Sequence, residues 1–166
     1  MDNIVGNFTS MEGRIGRQSW WIGIIILIVV GFVLNWILGA ILGVSYNFDP
    51  QALMTPEGQA AFRATAQKAG WASLIVSIVI AYPYIALGVK RRHDKDNNGM
   101  DVIVFIVVSL IYNLLTGLGV TAGNILGTII GIVFLVYAIY MLVVLGFLKG
   151  TTGSNQYGAD PLGGGA

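Results

Sequence analysis

Four long stretches of this chain hold no Asp, Glu, Lys, Arg or His: Trp20 to Val44, Trp71 to Val89, Val102 to Leu118 and Asn124 to Leu148. Each is long enough to cross a hydrocarbon core of about 30 Å as a helix, which needs about 20 residues. The first and fourth have length to spare for tilting, and the second and third are near the minimum. Backbone polar groups in lipid must be satisfied internally, so spans are helices or a closed barrel. None of the four runs shows the apolar/polar alternation of barrel strands. The pattern predicts an all-α membrane protein with four transmembrane helices in a bundle, forming one integral domain over 1–166. The spans lie at about 20–44, 71–89, 102–118 and 124–148, followed by a tail at 149–166.

Composition supports this reading: 55% of residues are hydrophobic and 10% charged, against roughly 25% charged in a soluble domain. Arg14 and Arg17 before the first span could suggest a secretory signal. Its apolar region is too long, and no A-x-A cleavage site follows, so the helix is expected to be retained. The absence of cysteine removes disulfides and thiolate chemistry. A net charge of +1 gives no nucleic-acid footprint, so no nucleic-acid partner is expected.

Basic residues set orientation through the positive-inside rule. Arg14, Arg17, Lys90, Arg91, Arg92, Lys95 and Lys149 fall on one face, and Arg63 and Lys68 on the other. Both termini are therefore expected in the cytoplasm. Gly119 to Gly123 should form a tight external hairpin, and Ser45 to Gly70 a larger external segment. Within it Thr55-Pro56-Glu57 is a helix start, with a side-chain cap, proline at the first position and an acid in the first turn. A short external amphipathic helix from Pro56 to about Ala69 is expected, lying on the interface or extending span two outward. Pro83 predicts a kink in span two. The terminal LGGGA is expected to be flexible.

Two features within the spans bear on function. Their polar residues include Asn35, Ser73, Ser77, Ser109 and Asn113, all neutral, which argues against a coupled pump. Gly119, Gly123, Gly127 and Gly131 recur every four residues, and Gly39 and Gly43 repeat the spacing once. Such glycines form a groove for close helix packing, within one chain or between copies.

Three stretches gather on the predicted inner face: GRIGRQSWW from Gly13, KRRHDKDNNG from Lys90 and GTTGSNQYGADP from Gly150. Here the chain resembles the family of small bacterial inner-membrane proteins grouped as domain of unknown function 805. Its pattern is matched at Gly13, Arg14, Arg17, Trp20 and Trp21, then at Arg91, His93, Asp94 and Gly99. It is matched again at Gly150, Thr151, Gly153, Asn155, Tyr157, Gly158, Asp160 and Pro161. Asn98 stands where serine is common, and Met100-Asp101 replace a frequent aromatic pair. The resemblance implies the architecture and an inner-membrane address, and carries no activity with it.

The glycines of the tail permit tight turns, and Asn155 and Thr151 supply local hydrogen bonds. The tail is expected to fold back, with Asp160 near the Arg14, Arg17 or Arg91, Arg92 cluster and Tyr157 at the bilayer interface. In the loop, Lys90, Arg91, Arg92 and Lys95 are opposed by Asp94, Asp96 and Asp101, which leaves a weak non-specific lipid clamp. Paired arginines on one phosphate would be a more specific use. Asp94 to Gly99 fits half of a D-x-D-x-N-G calcium loop, but its twelfth position is Phe105, so no metal is expected. His93 and Asp94 form the one pair suited to acid–base work, with Ser154 of the tail as the nucleophile that could approach it, and no G-x-S-x-G, H-E-x-x-H or P-loop motif accompanies them. No catalytic residue and no cofactor are expected.

The sequence thus predicts a non-enzymatic inner-membrane scaffold or accessory protein with an ordered cytoplasmic cap. Its candidate binding residues are Arg14, Arg17, Arg91, Arg92, His93, Asp94, Asn155, Tyr157 and Asp160. The expected partners are membrane lipids and a protein partner or a second copy of the chain. The alternative is a small channel or transporter built by oligomerisation through the glycine-rich face of span four.

Overall fold

The computed structural model describes residues 4–45 and 49–163. Tyr46 to Phe48 of the expected external segment, and Gly164 to Ala166 of the expected flexible terminus, lie outside the described residues. A short helix α1 (Ile4–Thr9) precedes the long α2 (Arg17–Leu42). A 3₁₀ turn at Ala52–Met54 leads into α3 (Pro56–His93), followed by α4 (Met100–Gly117) and α5 (Ile125–Leu142). A π turn at Val143–Phe147 continues α5. α2, α3, α4 and α5 with its π turn are each long and apolar enough to cross a membrane. Among the described residues there is no strand, and Asn155 and Gly158 form an isolated bridge.

The start of α3 follows the local signals. Thr55 Oγ1 accepts the Gly58 amide at 3.1 Å, Pro56 occupies the first helical position and Glu57 lies in the first turn. No separate external helix forms. α3 runs unbroken for 38 residues to His93, because the alanine-rich stretch Ala60–Ala69 contains good helix formers and no breaker. Gly70, at the junction with the second apolar run, stays helical and gives close packing instead. The helix also continues through Pro83.

The glycine series does not form one helical face. Gly119 and Gly123 lie in the turn before α5 with φ of +78° and +71°, and Gly43 follows the end of α2 with φ of +67°. These positive φ values end helices, so only Gly127 and Gly131 lie on α5 and only Gly39 on α2. A Cβ on Gly131 would meet only the Tyr112 hydroxyl, at 3.5 Å, whereas one on Gly127 would fall 1.8 Å from the Thr121 carbonyl.

The described chain forms two compact units. The first comprises Met1–Val30, Ile80–Val107 and Tyr137–Ala166. Its core joins Ile15, Trp20, Leu27, Leu87, Val102 and Leu145, with Tyr84, Phe105 and Tyr137 packed against it. Two glycines set the helix spacing here. A Cβ on Gly23 would meet Leu87 at 2.6 Å, and one on Gly88 would meet Val102 at 2.5 Å.

The second unit comprises Gly31–Val79 and Val108–Val136. Its in-span polar residues pair across helices: Ser73 donates to Asn35 at 3.1 Å and Asn113 to Ser77 at 3.0 Å. The Tyr112 and Phe134 rings stack at 5.0 Å. Arg63 and Lys68 donate to the carbonyls of Gly123 and Gly43, satisfying acceptors at the loops that join the helices. Gly70 packs on the backbone of Gly117, where an added Cβ would lie 2.4 Å from the Gly117 nitrogen.

In both units the outward surface is apolar, with Ile25, Ile28 and Ile139 exposed in the first and Phe32, Ile78 and Val133 in the second. A surface of this kind is stable against lipid and not against water.

Two of the α-helical glycines, Gly70 and Gly131, predict opposite behaviour. Gly70→Ala should lower resistance to SDS-induced unfolding by about 1–3 kcal/mol, because backbone cannot move aside as a flexible side chain can. Gly131→Ala should be neutral or stabilising by up to about 1 kcal/mol through helix propensity. Equal effects would contradict the packing described.

Candidate functional site

The first unit carries a polar cap made from the three stretches rich in Gly, Arg and Asp. α3 ends at His93, and the chain reverses through Asp96 (φ +57°) and Gly99 (φ +72°). Asn97 Oδ1 accepts the Gly99 amide at 3.0 Å, and Asn98 Oδ1 accepts the Met100 amide at 3.1 Å where α4 begins. The aspartate and asparagine run is therefore turn and cap chemistry. Among the described residues no group of three His, Asp or Glu side chains is positioned to hold a metal ion.

The centre of the cap is Asp94. Its Oδ1 accepts from Arg14 Nη2 at 3.0 Å and Arg14 Nε at 3.2 Å, and its Oδ2 pairs with Arg91 Nη1. The side chains of Arg14, Arg91 and Asp94 are 1%, 0% and 6% exposed. Buried ions need this pairing, because removing one partner leaves an uncompensated charge.

Arg14 also fastens the tail. Its Nη1 donates to the carbonyls of Gly153 at 2.7 Å and Gly158 at 3.2 Å, and its Nη2 to the Thr151 carbonyl at 2.8 Å. The planar, multi-donor guanidinium serves three chain segments at once in a way an ammonium cannot. The tail answers with its own backbone: the Thr151 amide donates to the Asp94 carbonyl at 2.8 Å. Asn155 Nδ2 donates to the His93 carbonyl at 2.8 Å, and its Oδ1 accepts the Tyr157 amide at 2.9 Å. Gly150 is required where the tail passes Asp94, since a Cβ there would fall 2.0 Å from Oδ2.

A second set of bonds closes the end of the fourth span. The last carbonyls of a helix lack intrahelical partners and carry the negative end of its dipole. Here the carbonyls of Val144, Leu145, Gly146, Phe147 and Leu148 each accept a side-chain donor. These are Lys95, Arg91 Nε at 2.8 Å, Trp21 Nε1 at 3.1 Å, Arg17 Nη1 at 3.3 Å and Arg91 Nη2 respectively. Partial burial and the charges of Arg91 and Arg92 lower the Lys95 pKa to about 8. It is still mostly protonated at neutral pH and able to donate.

The predicted site residues divide into groups. Arg14, Arg91 and Asp94 are spent on internal bonds and hold the cap together. Arg17 is exposed and braces the π turn. Arg92 stands apart from the Asp94 network, pairing with Asp101 at 3.1 Å. His93 Nδ1 lies 3.1 Å from the Gly13 carbonyl, and its ring stacks on Tyr157 at 3.8 Å with 5° between the planes. Tyr157 was expected at the bilayer interface. It stacks on the imidazole because Asn155 turns the chain back over α3.

Asp160 accepts the amides of Gly153 and Leu162, both at 2.9 Å. Those two bonds, with the charge of Arg14, hold its carboxyl below the usual range. Asp160 therefore closes the tail turn near Arg14. Among the described residues no hydrogen bond joins Ser154 to His93. Lys95 and Trp21 were missed as structural donors. Their signal was only their presence inside the three stretches, because which carbonyl each meets depends on how the helices end.

Residues 8–159 match the family described as "Protein of unknown function (DUF805)". The chain belongs to that family. The DUF805 match takes in all three cap stretches as far as Ala159. The chain is also 22% identical over 159 residues to "Inner membrane protein YhaI" of Escherichia coli strain K12, covering 96% of this chain and 92% of the relative. The YhaI protein of Escherichia coli O157:H7 matches to the same extent. No solved structure matches. With its four membrane-length apolar helices, this DUF805 chain is a multi-pass inner-membrane protein.

Asp94→Asn keeps the shape of the side chain and removes the charge facing two buried guanidinium groups. It should cost about 3–5 kcal/mol of stability and release the tail, read as SDS-induced unfolding and rapid proteolysis after Gly150. Wild-type stability with a protected tail would show that the pairing does not hold the cap.

Proposed function

We propose that this protein is a non-enzymatic accessory or scaffold protein of the inner membrane, with both termini in the cytoplasm and a rigid cap there that recognises lipid head groups or a protein partner. The observation that carries this reading is the use of the cap's buried charges. Arg14, Arg91 and Asp94 satisfy one another and the tail backbone, which makes a stiff platform. A pre-ordered polar surface binds at low entropic cost.

Orientation follows from charge. The seven cations assigned to the inner face all belong to the first unit, and Arg63 and Lys68 to the second. At 1.5 Å per residue α3 is about 57 Å long, well beyond a 30 Å hydrocarbon core. Its alanine-rich start therefore extends outside the membrane as the external amphipathic segment, while its lysine- and arginine-rich end reaches the inner face. No observation favours a channel: Asn35 with Ser73, and Ser77 with Asn113, bond to each other across helices, as packing polar groups do.

Reporter fusions and reconstitution test the proposal together. A green fluorescent protein fused after Ala166 should fluoresce, an alkaline phosphatase fused there should be inactive, and liposomes holding the protein should show no ion flux above empty ones. An active phosphatase fusion would reverse the orientation. Flux abolished by Gly131→Leu would favour the channel.

A further inference from the structure

A cavity of about 360 Å³ opens in the cap between the start of α2 and the root of the tail, lined by Arg17, Lys149, Thr152, Asp94, Asp160 and Leu162 among others. We propose that it binds a phosphate group, that of an anionic phospholipid being the source the surroundings favour. The proposal rests on the cap reading given above and names its ligand.

Charge is the first argument. Asp94 is answered by two guanidinium groups, Arg14 and Arg91, so it brings no net negative charge to the cavity. Asp160 is the remaining acid, and its oxygens are turned to the Gly153 and Leu162 amides. Arg17 spends one donor on the Phe147 carbonyl. Among the described residues the Lys149 ammonium and the Thr152 hydroxyl have no protein partner. Positive charge therefore exceeds negative, and the unspent donors are an arginine, a lysine and a hydroxyl, the set that holds phosphate.

Position is the second argument. Arg17 is the last charge before the first span, and Lys149 the first charge after the fourth. Both therefore stand where an apolar helix meets the head-group layer. Phe147 and Leu148 beside Lys149, and Leu162 on the cavity wall, are exposed and apolar. A lipid can place its phosphate between the two cations and run its chains along these side chains. A free phosphate uses only the cations.

The test uses the full chain in phosphatidylcholine discs containing a minority of phosphatidylglycerol, with native mass spectrometry counting retained phosphatidylglycerol. Lys149→Gln touches no protein partner, so it should leave the tail as protease-resistant as wild type while lowering retention about fivefold. Arg17→Gln with Lys149→Gln should lower it further. In a second arm, inorganic phosphate is titrated onto the protein in a phosphate-free maltoside and followed by ³¹P relaxation. Phosphate binding that depends on Arg17 and Lys149 at equal affinity would support the site and assign its ligand to solution. Retention unchanged in both variants, with no phosphate binding, overturns the pocket while leaving the cap intact. A wild-type tail cleaved freely after Gly150 overturns the cap and the pocket with it.

Discussion

The cap depends on one buried carboxylate. Asp94 sits at the end of α3 with a guanidinium on each oxygen, Arg14 from the segment before α2 and Arg91 from one turn back along its own helix. Neither cation could be buried so completely without it. With the carboxylate present, Arg14 can lie flat under the tail and offer its remaining donors to Thr151, Gly153 and Gly158. The tail's turns, the His93 and Tyr157 stack and the wall of the Arg17 and Lys149 cavity all follow from that placement.

Arg91 links this centre to the membrane-spanning part. The same guanidinium that pairs with Asp94 caps the carbonyls of Leu145 and Leu148. Lys95 attends the Val144 carbonyl and Arg17 that of Phe147, so cations collect at the negative end of the last span. Each such contact is worth about 0.3–2 kcal/mol depending on burial. The Val143 carbonyl accepts the Leu148 amide, and the cap supplies one side-chain donor to each carbonyl from Val144 to Leu148. The cations that cluster in the three polar stretches therefore also serve as helix-capping chemistry.

Much of this was legible in the chain. The four uncharged runs locate the spans because lipid tolerates nothing else at that length, and Thr55-Pro56-Glu57 marks the start of α3 because its signals act locally. The convergence of the three polar stretches was readable from their shared motif pattern and from the one face to which their cations assign them. The partition of roles was not. Arg14, Arg17, Arg91 and Arg92 look alike in sequence, yet one fastens the tail, one braces a π turn, one is buried at the centre and one pairs with Asp101. The glycine series misled for a related reason. A spacing of four assumes an unbroken helix, and the positive φ values of Gly119 and Gly123 place them in a turn. The glycines that do set helix contacts, Gly23, Gly70 and Gly88, show no such spacing, because their partners lie on other helices.

The most direct measurement is amide hydrogen exchange of the tail in membrane discs, residue by residue from Gly150 to Asp160. A cap built on the Asp94 network predicts protected amides at Thr151, Gly153, Asn155 and Gly158, whose acceptors are the Asp94 carbonyl, the Asp160 carboxylate and each other. Gln156, exposed at the tip of the turn, should exchange quickly beside them. Uniformly fast exchange across the segment, as in an unfolded chain, would contradict the account.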